Sequence, residues 1–188
     1  QEQVGGSPRV PTVSIGKWMD GDKPVAADLA ACVEEAIVRR LAREPVYRIL
    51  GRRDFYGLDL ALSEGTLEPR PDTEILVDVI LPHLRTMTSA GLKPKIVDLG
   101  TGTGAIALAL LQECPEAEAM GIDISEDALK TAAANAERNG LSSRFTTRAG
   151  PWFERTSERF DIIISNPPYL RSEGVVGLEP EVTNFDPM

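Results

Sequence analysis

The chain has 188 residues, 42% of them hydrophobic and 26% charged, and no apolar run approaches the roughly 20 residues needed to cross a bilayer; this is the make-up of one well-packed globular domain with a small appendage. A formal net charge of -9 sets it against a nucleic-acid backbone unless a local basic patch compensates, and the two cysteines, Cys32 and Cys114, stand far apart outside any Cys-x-x-Cys pairing, which argues against a disulfide framework or a zinc site. The polar start, residues 1–6, has no basic region leading into an apolar one, so it does not read as a secretory signal and a cytoplasmic address is expected.

Residues 1–24 contain Pro8, Pro11 and Pro24 with several glycines and no periodicity, and read as an irregular arm or leader. Across residues 25–43, Leu29, Val33, Ile37 and Leu41 recur at every fourth position, one stripe of a helix that needs a surface to pack on. Glu44 and Pro45 end it. Arg39, Arg40, Arg43, Arg48, Arg52 and Arg53 crowd this stretch and are expected to form a solvated or partner-facing surface rather than a phosphate track. Residues 52–62, with Gly57 between aromatic and aliphatic neighbours, predict a short hairpin. A second helix is expected from Asp72 or Thr73, either of which can cap it, carrying Ile75, Leu76, Val79 and Ile80 toward the core until Pro82 disturbs it.

After a loop over residues 88–94 the pattern alternates strictly: strand 95–99, helix 105–112, strand 119–122, a helix from about Ser125 that Gly140 terminates, then strands 144–147 and 160–165. Strands alternating with helices of this length imply right-handed crossovers and a parallel sheet covered on both faces. The nearly continuous apolar run 160–164 is what a doubly covered strand needs. The expected class is therefore α/β, a Rossmann-like parallel sheet preceded by a short helical segment and a β-hairpin linker.

The run Val97-Asp98-Leu99-Gly100-Thr101-Gly102-Thr103-Gly104 leaves a strand and enters a helix, so its glycines let the backbone turn sharply and approach a ligand. Gly100, Gly102 and Ala105 also satisfy the relaxed dinucleotide fingerprint, which keeps a nicotinamide-dependent oxidoreductase open. Asp123 closes the next strand about 20 residues on, where its carboxylate can accept both hydroxyls of a ribose; the blander alternative is that it merely precedes the helix starting near Ser125 and helps its macrodipole. Asp98 lies two residues before the first glycine, where it would repel a pyrophosphate but can hold the amino group of a methionine moiety, directly or through water.

Asn166-Pro167-Pro168-Tyr169 directly follows the last strand, at the carboxyl end of the sheet where open α/β folds bind ligands. Consecutive prolines fix φ and supply no N–H groups, leaving carbonyls free to accept. A planar amide or exocyclic amino group presents two N–H donors. Accepting one on the Asn166 side-chain oxygen and the other on the Pro167 carbonyl would aim the nitrogen lone pair at an electrophile, with Tyr169 stacking on the flat face. Such a site acts by positioning and by stabilising the developing positive nitrogen, and needs no strong general base, which suits a chain whose one histidine is His83.

With both motifs in place, the chain resembles the class I methyltransferases carrying an N-P-P-Y motif, and within them the release factor glutamine methyltransferases, the HemK family. The resemblance covers residues 44–188. It rests on Glu44-Pro45-Val46-Tyr47-Arg48-Ile49-Leu50-Gly51, on Asp54-Phe55-Tyr56-Gly57-Leu58, on Pro69-Arg70-Pro71-Asp72-Thr73-Glu74, and on the glycine loop and the tetrapeptide. It implies S-adenosylmethionine as cofactor, bound by Asp98, Gly100, Thr101, Gly102, Thr103, Gly104, Asp123 and Asn166, with Trp152 on the adenine side of the pocket. It implies further that Asn166, Pro167, Pro168 and Tyr169 hold a substrate glutamine from the Gly-Gly-Gln loop of bacterial class 1 peptide-chain release factors, with no metal, no membrane and no direct nucleic-acid contact. Ala149, Gly150 and Pro151 precede Trp152 where the family usually has an Asp or Ser, and a core tryptophan is an equally fair reading of that residue.

The resemblance also implies a division into residues 25–43 as the remnant of an amino-terminal helical domain, 44–68 as the hairpin linker and 69–188 as the cofactor-binding catalytic domain. That domain stops after the fourth strand of a sheet that has seven in the family. Two further readings stay open: another N-P-P-Y enzyme acting on a nucleobase or a ribosomal-protein glutamine, and a non-catalytic cofactor-binding or partner-binding fragment.

Overall fold

The computed structural model describes residues 26–153, 157–167 and 185. Helix α1 (Ala27–Leu41) carries the expected apolar stripe, but Ile37 and Leu41 are 53% and 78% exposed and no residue of the helix is buried. Pro45 and Gly51 bracket α2 (Val46–Leu50), a helical piece too short for periodicity to signal, which Gly51 closes at φ 68°. The expected hairpin is β1 (Arg52–Phe55) paired antiparallel with β2 (Leu58–Ala61). Tyr56 and Gly57 form its two-residue turn, both at positive φ, a conformation that glycine accepts freely and tyrosine does not.

Tyr56 is held there by three bonds. Its N–H donates to Glu74 Oε1 at 2.9 Å, its hydroxyl donates to Asp78 Oδ1 at 2.8 Å, and its carbonyl accepts from Gln112 Nε2 at 3.3 Å. A lone hairpin is marginal in water, and this one is fastened: Phe55, Leu58 and Leu60 are buried in the same cluster as the helices that follow. Arg40 and Arg43 of the basic stretch are exposed, as a solvated surface requires, while other arginines of the stretch also find partners within the fold. Arg39 pairs with Glu44, Arg53 with Glu68 and Arg52 with Asp59, while Arg40 donates to the Glu44 carbonyl and Arg48 to the carbonyls of Ser63 and Thr66. Much of the cluster's charge is answered within the fold.

A 3-10 turn, Pro71–Thr73, leads into α3 (Glu74–Ser89), and neither the turn nor the helix has a side-chain cap. The buried face of α3 is Val77, Leu81 and Leu84, flanked by the partly buried Leu76 and Ile80. Ile75 and Val79 are 63% and 59% exposed, so the helix is rotated from the orientation its first apolar residues suggest. Pro82 does not disturb it. The ring lies on the exposed face, where water can reach the carbonyl that the missing N–H leaves free, and the Thr86 hydroxyl donates to the Pro82 carbonyl at 2.9 Å.

Beyond residue 94 the alternation builds one parallel sheet from β3 (Lys95–Leu99), β4 (Glu118–Asp123), β5 (Phe145–Ala149) and β6 (Ile162–Ser165), in the order β5-β4-β3-β6. Helices α4 (Ala105–Glu113) and α5 (Glu126–Arg138) make the crossovers, which gives the expected Rossmann-like α/β class. Every residue of α4 through Leu111 is buried, each Leu or Ile there contributing roughly 1.5–3 kcal/mol of burial. Arg144 secures the carboxyl end of α4 by donating to the carbonyls of Leu111, Cys114 and Ala117 at 2.8, 3.1 and 3.1 Å. The run at β6 departs from the doubly covered expectation: Ile164 is buried against the helices, but Ile163, on the opposite face, is 60% exposed among the described residues.

Asn135, fully buried on α5, ties these layers together. Its Oδ1 accepts from the Ala61 N–H at 2.7 Å, and its Nδ2 donates to the carbonyls of Ala61 and Thr103 at 3.1 and 2.9 Å. One amide thereby continues the edge of the hairpin and pins the glycine loop.

Candidate functional site

The chain runs from β3 to β4 on one side of β3 and returns later to place β6 on the other, so the direction of winding reverses between β3 and β6. Ligands of open α/β sheets bind at the carboxyl ends of the strands at such a reversal. The glycine loop leaves the end of β3 there, and the register pairs Leu99 with Ser165, which sets Asn166 one residue beyond the pairing, beside Gly100. Ser165 Oγ donates to the Leu99 carbonyl at 3.0 Å and fixes the two exits against each other. A cavity of about 550 Å³ between α3 and β6 includes His83 and Asp161, but Asp161 precedes β6, so this cavity opens at the amino end of the strand and away from the glycine loop.

Gly100, Gly102 and Gly104 all have positive φ, at 72°, 55° and 82°. Added Cβ atoms on Gly100 and Gly102 would meet open space, so the loop presents bare backbone outward, whereas at Gly104 one would press on Leu108 and Ala132. The N–H groups of Gly100 and Thr101 both donate to the Ile122 carbonyl, at 2.8 and 3.1 Å, which holds the loop against β4. Thr101 packs over Gly121 on that strand, where a Cβ would stand 2.8 Å from the threonine methyl group; sequence reading singled out Thr101 but not the glycine that makes room for it.

Asp98 is 1% exposed at the base of the loop. Its Oδ2 accepts from Thr101 Oγ1 at 2.8 Å, and its Oδ1 is buried with no hydrogen-bond partner among the described residues. Burial pushes this carboxyl up to about 6; the nearby negative Asp123 adds to the rise, while the Thr101 hydroxyl and the Ala107 amide oppose it. A buried, charged, partly unsatisfied acceptor is costly unless a ligand answers it.

Asp123 ends β4 with both oxygens engaged: Oδ2 accepts from the Gly102 N–H at 2.9 Å and Oδ1 from the Ser125 N–H at 3.0 Å. It thus latches the glycine loop and the start of α5 together, as the helix-start reading of its sequence position has it. Each carboxylate oxygen can accept a further bond. The cap of α5 is Ser125, whose Oγ accepts from the Ala128 N–H at 3.2 Å. Gly150 N–H donates to the Asp123 carbonyl at 3.0 Å, and two residues later Trp152 stands at φ 47° and 58% exposed. It is not a core tryptophan.

Asn166 and Pro167 are exposed at the exit from β6, and the Asn166 Nδ2 donates to Thr73 Oγ1 at 3.3 Å. Pro168 and Tyr169 lie outside the described residues. The structure therefore gathers Asp98, Gly100 to Gly104, Asp123 and Asn166 at one end of the sheet, with Trp152 on the loop beyond β5. Residues that sequence reading did not assign to the site are Thr73, read only as a helix cap, and Asn135 and Ser165, isolated polar residues whose partners are distant in sequence.

The geometry supplies bare backbone, a strand-end carboxylate with lone pairs to spare, a buried acceptor and an amide beside them. This donor set fits S-adenosylmethionine: the orphaned Asp98 Oδ1 is an acceptor that an ammonium group could answer, and the open space over Gly100 and Gly102 leaves room for a ligand on the loop. Residues 73–178 match the methyltransferase small domain family. Among curated proteins the chain is similar to the release factor glutamine methyltransferase of Agrobacterium fabrum, 59% identical over 90% of this chain and 59% of that one. It is also similar to that of Rhodospirillum rubrum, 47% identical over 88% and 50%. The chain spans about half to three-fifths of the length of these relatives. A solved SAM-dependent methyltransferase from Agrobacterium tumefaciens, 20% identical with a TM-score of 0.50 over 62% of this chain and 39% of that one, shares the fold.

Proposed function

The chain belongs to the methyltransferase small domain family, and on that ground we propose that it is the cofactor-binding, amide-reading part of an enzyme that methylates a release-factor glutamine. The acceptor atom is the side-chain amide nitrogen of the Gly-Gly-Gln loop, and the methyl source is S-adenosylmethionine. The observation that carries this reading is the orphaned buried Asp98 Oδ1 under a glycine loop whose neighbour across the β3–β6 pairing is Asn166. The names of the curated relatives support the choice of release factors. The working unit is residues 69–188, joined through 44–68, acting in the cytoplasm where bacterial class 1 release factors are found. Among the described residues no helix is long and apolar enough to cross a membrane.

When bound, S-adenosylmethionine supplies an electrophilic methyl group on a sulfonium centre. Ionised Asp98 would hold the amino end of the cofactor, and the second lone pairs of Asp123 would accept from its ribose hydroxyls. Bare backbone at Gly100 to Gly104 would allow close approach, and Trp152 would lie on the adenine side. Asn166 Oδ1 and the Pro167 carbonyl would each accept one N–H of the substrate amide and so fix that nitrogen. The same two oxygens stabilise the positive charge that develops on that nitrogen. The alkylated nitrogen is acidic and loses its extra proton to water without a dedicated base.

The test offers labelled S-adenosylmethionine with folded release factor, DNA and ribosomal RNA in parallel. Label is expected in release factor, and its rate should fall only modestly with salt, whereas counterion release would make a nucleic-acid substrate steeply salt-dependent. A folded release factor should outperform a short peptide, since ordering a glycine-rich segment costs roughly 1–2 kcal/mol per residue. Label in DNA or RNA but not in release factor overturns the substrate assignment.

A second measurement addresses the cofactor. Asp123→Ala should weaken S-adenosylmethionine binding by about 1–3 kcal/mol, the scale for losing hydrogen bonds to a charged group. Calorimetry in which NAD binds the unsubstituted protein more tightly than S-adenosylmethionine would return the glycine loop to hydride-transfer chemistry.

A further inference from the structure

We propose that Thr73 is the positioning residue for Asn166, anchoring the side-chain amide through its nitrogen while the oxygen stays free for the substrate; this rests on the amide-reading role given to Asn166 above. An asparagine amide has one accepting and one donating edge, and a half-turn about its terminal bond exchanges them. Only the accepting edge can receive a substrate N–H; the donating edge would oppose it. Asn166 is exposed, so packing does not choose between the two. Its Nδ2 donates to Thr73 Oγ1 at 3.3 Å across 93 residues of sequence, an anchor that leaves Oδ1 free to accept.

The frame behind Thr73 is rigid. Pro71 opens the 3-10 turn with its φ set by the ring, and the Thr73 N–H donates to the Arg70 carbonyl at 3.0 Å. Glu74, the next residue, is anchored to the hairpin turn through Tyr56. Thr73 occupies the N-cap position of α3, yet its hydroxyl makes no capping bond and its own backbone is helical, at φ -69° and ψ -21°. As the last residue of the 3-10 turn its backbone is already helical, so its hydroxyl is not placed to cap α3. Here the oxygen is turned to Asn166, whose own backbone is fixed from the other side by Ser165 on the Leu99 carbonyl. Two separately braced segments thus meet at one side-chain hydrogen bond.

Thr73→Val keeps the shape and removes the hydroxyl, and Thr73→Ser keeps the hydroxyl. With the acceptor that the labelling assay identifies, Thr73→Val should lower kcat about 10-fold, the scale of a small misplacement of a reacting group, with KM and cofactor affinity each within about two-fold. Thr73→Ser should recover most of the turnover. The Asn166 side-chain amide resonances, identified by their loss in Asn166→Ala, should shift in Thr73→Val and return in Thr73→Ser, a readout that does not depend on activity. Unchanged kcat in Thr73→Val, a loss confined to KM, no rescue by serine, or unmoved amide resonances would each overturn the role of Thr73. If Asn166→Ala silences transfer while Thr73→Val does not, Thr73 alone is misassigned; if Asn166→Ala remains active, the amide-reading role falls as well.

Discussion

Asn166→Ala is expected to lower turnover roughly 100-fold or more while leaving S-adenosylmethionine affinity within a few-fold, because the lost group acts mainly on the reacting nitrogen. The separation follows from where the side chain sits. Asn166 is exposed at the exit from an edge strand, its side-chain bond among the described residues is the exposed contact to Thr73, and the cofactor contacts proposed for Asp98 and Asp123 lie on β3 and β4. Truncation therefore leaves no buried group unsatisfied, and the thermal midpoint should stay near that of the unsubstituted protein. What is lost is an acceptor aimed at a nitrogen that becomes positive only in the transition state, so the effect falls on kcat. Steady-state kinetics on the labelled acceptor, with cofactor binding measured separately, checks both halves. Transfer persisting near wild-type rates would remove Asn166 from the chemistry.

Features of the fold are legible in the sequence to the extent that the contacts determining them are local. The sheet is legible because β3 and the helices after it carry their own punctuation: glycines between strand and helix, Ser125 at the start of α5, Gly140 at its end. The α3 helix is legible in existence but not in orientation. Ile75 and Val79 look like core residues, yet the hairpin anchored on Glu74 and Asp78 sets which face turns inward, and those anchors join residues about 20 positions apart. Pro82 misleads for a related reason: whether a proline breaks a helix depends on whether water can reach the carbonyl it frees, which is a matter of burial.

The candidate site divides in the same way. Gly100 to Gly104 with Asp98 and Asp123 are a short-range pattern with a definite backbone consequence, so their meeting at the end of the sheet follows from the loop itself. Asn135 and Ser165 carry no such pattern, and Thr73, though inside the string from Pro69 to Glu74, carries none that names its partner. Asn135 meets Ala61 from 74 residues away and Thr73 meets Asn166 from 93, and a lone polar residue gives no sign of which distant backbone it will satisfy. Asp123 can be read as ribose ligand or as helix-start residue; bonded to both Gly102 and Ser125, it shows that one carboxylate can organise the loop and still have lone pairs left for a ligand.

Asp98→Asn should make the ligand-free protein more stable at neutral pH and, in the same stroke, a much poorer binder of S-adenosylmethionine. The folded protein raises the Asp98 carboxyl from 3.8 to about 6, chiefly by burial. Between those values the folded state holds a proton that the unfolded chain has released, so this group's contribution to stability falls as pH rises from about 4 to 6 and stays unfavourable above. At neutral pH the buried charge costs on the order of 3 kcal/mol, since each pH unit corresponds to about 1.4 kcal/mol. An asparagine of the same shape carries no charge, so denaturant titrations should show the variant gaining on the parent as pH rises from 4 to 7, and no gain at pH 4. Binding should move the other way. An ammonium group that meets ionised Asp98 in a buried site loses about 2–5 kcal/mol when its partner is neutralised, so the variant's affinity should drop at least roughly 30-fold. For the same reason, cofactor binding by the unsubstituted protein should weaken as pH falls through about 6, and that dependence should flatten in Asp98→Asn. Calorimetry over pH 5 to 8 on both proteins reads the binding effects, beside the denaturant titrations for stability. Equal affinities for the two proteins at pH 7.5 would show that the buried carboxylate answers something other than the cofactor's amino group.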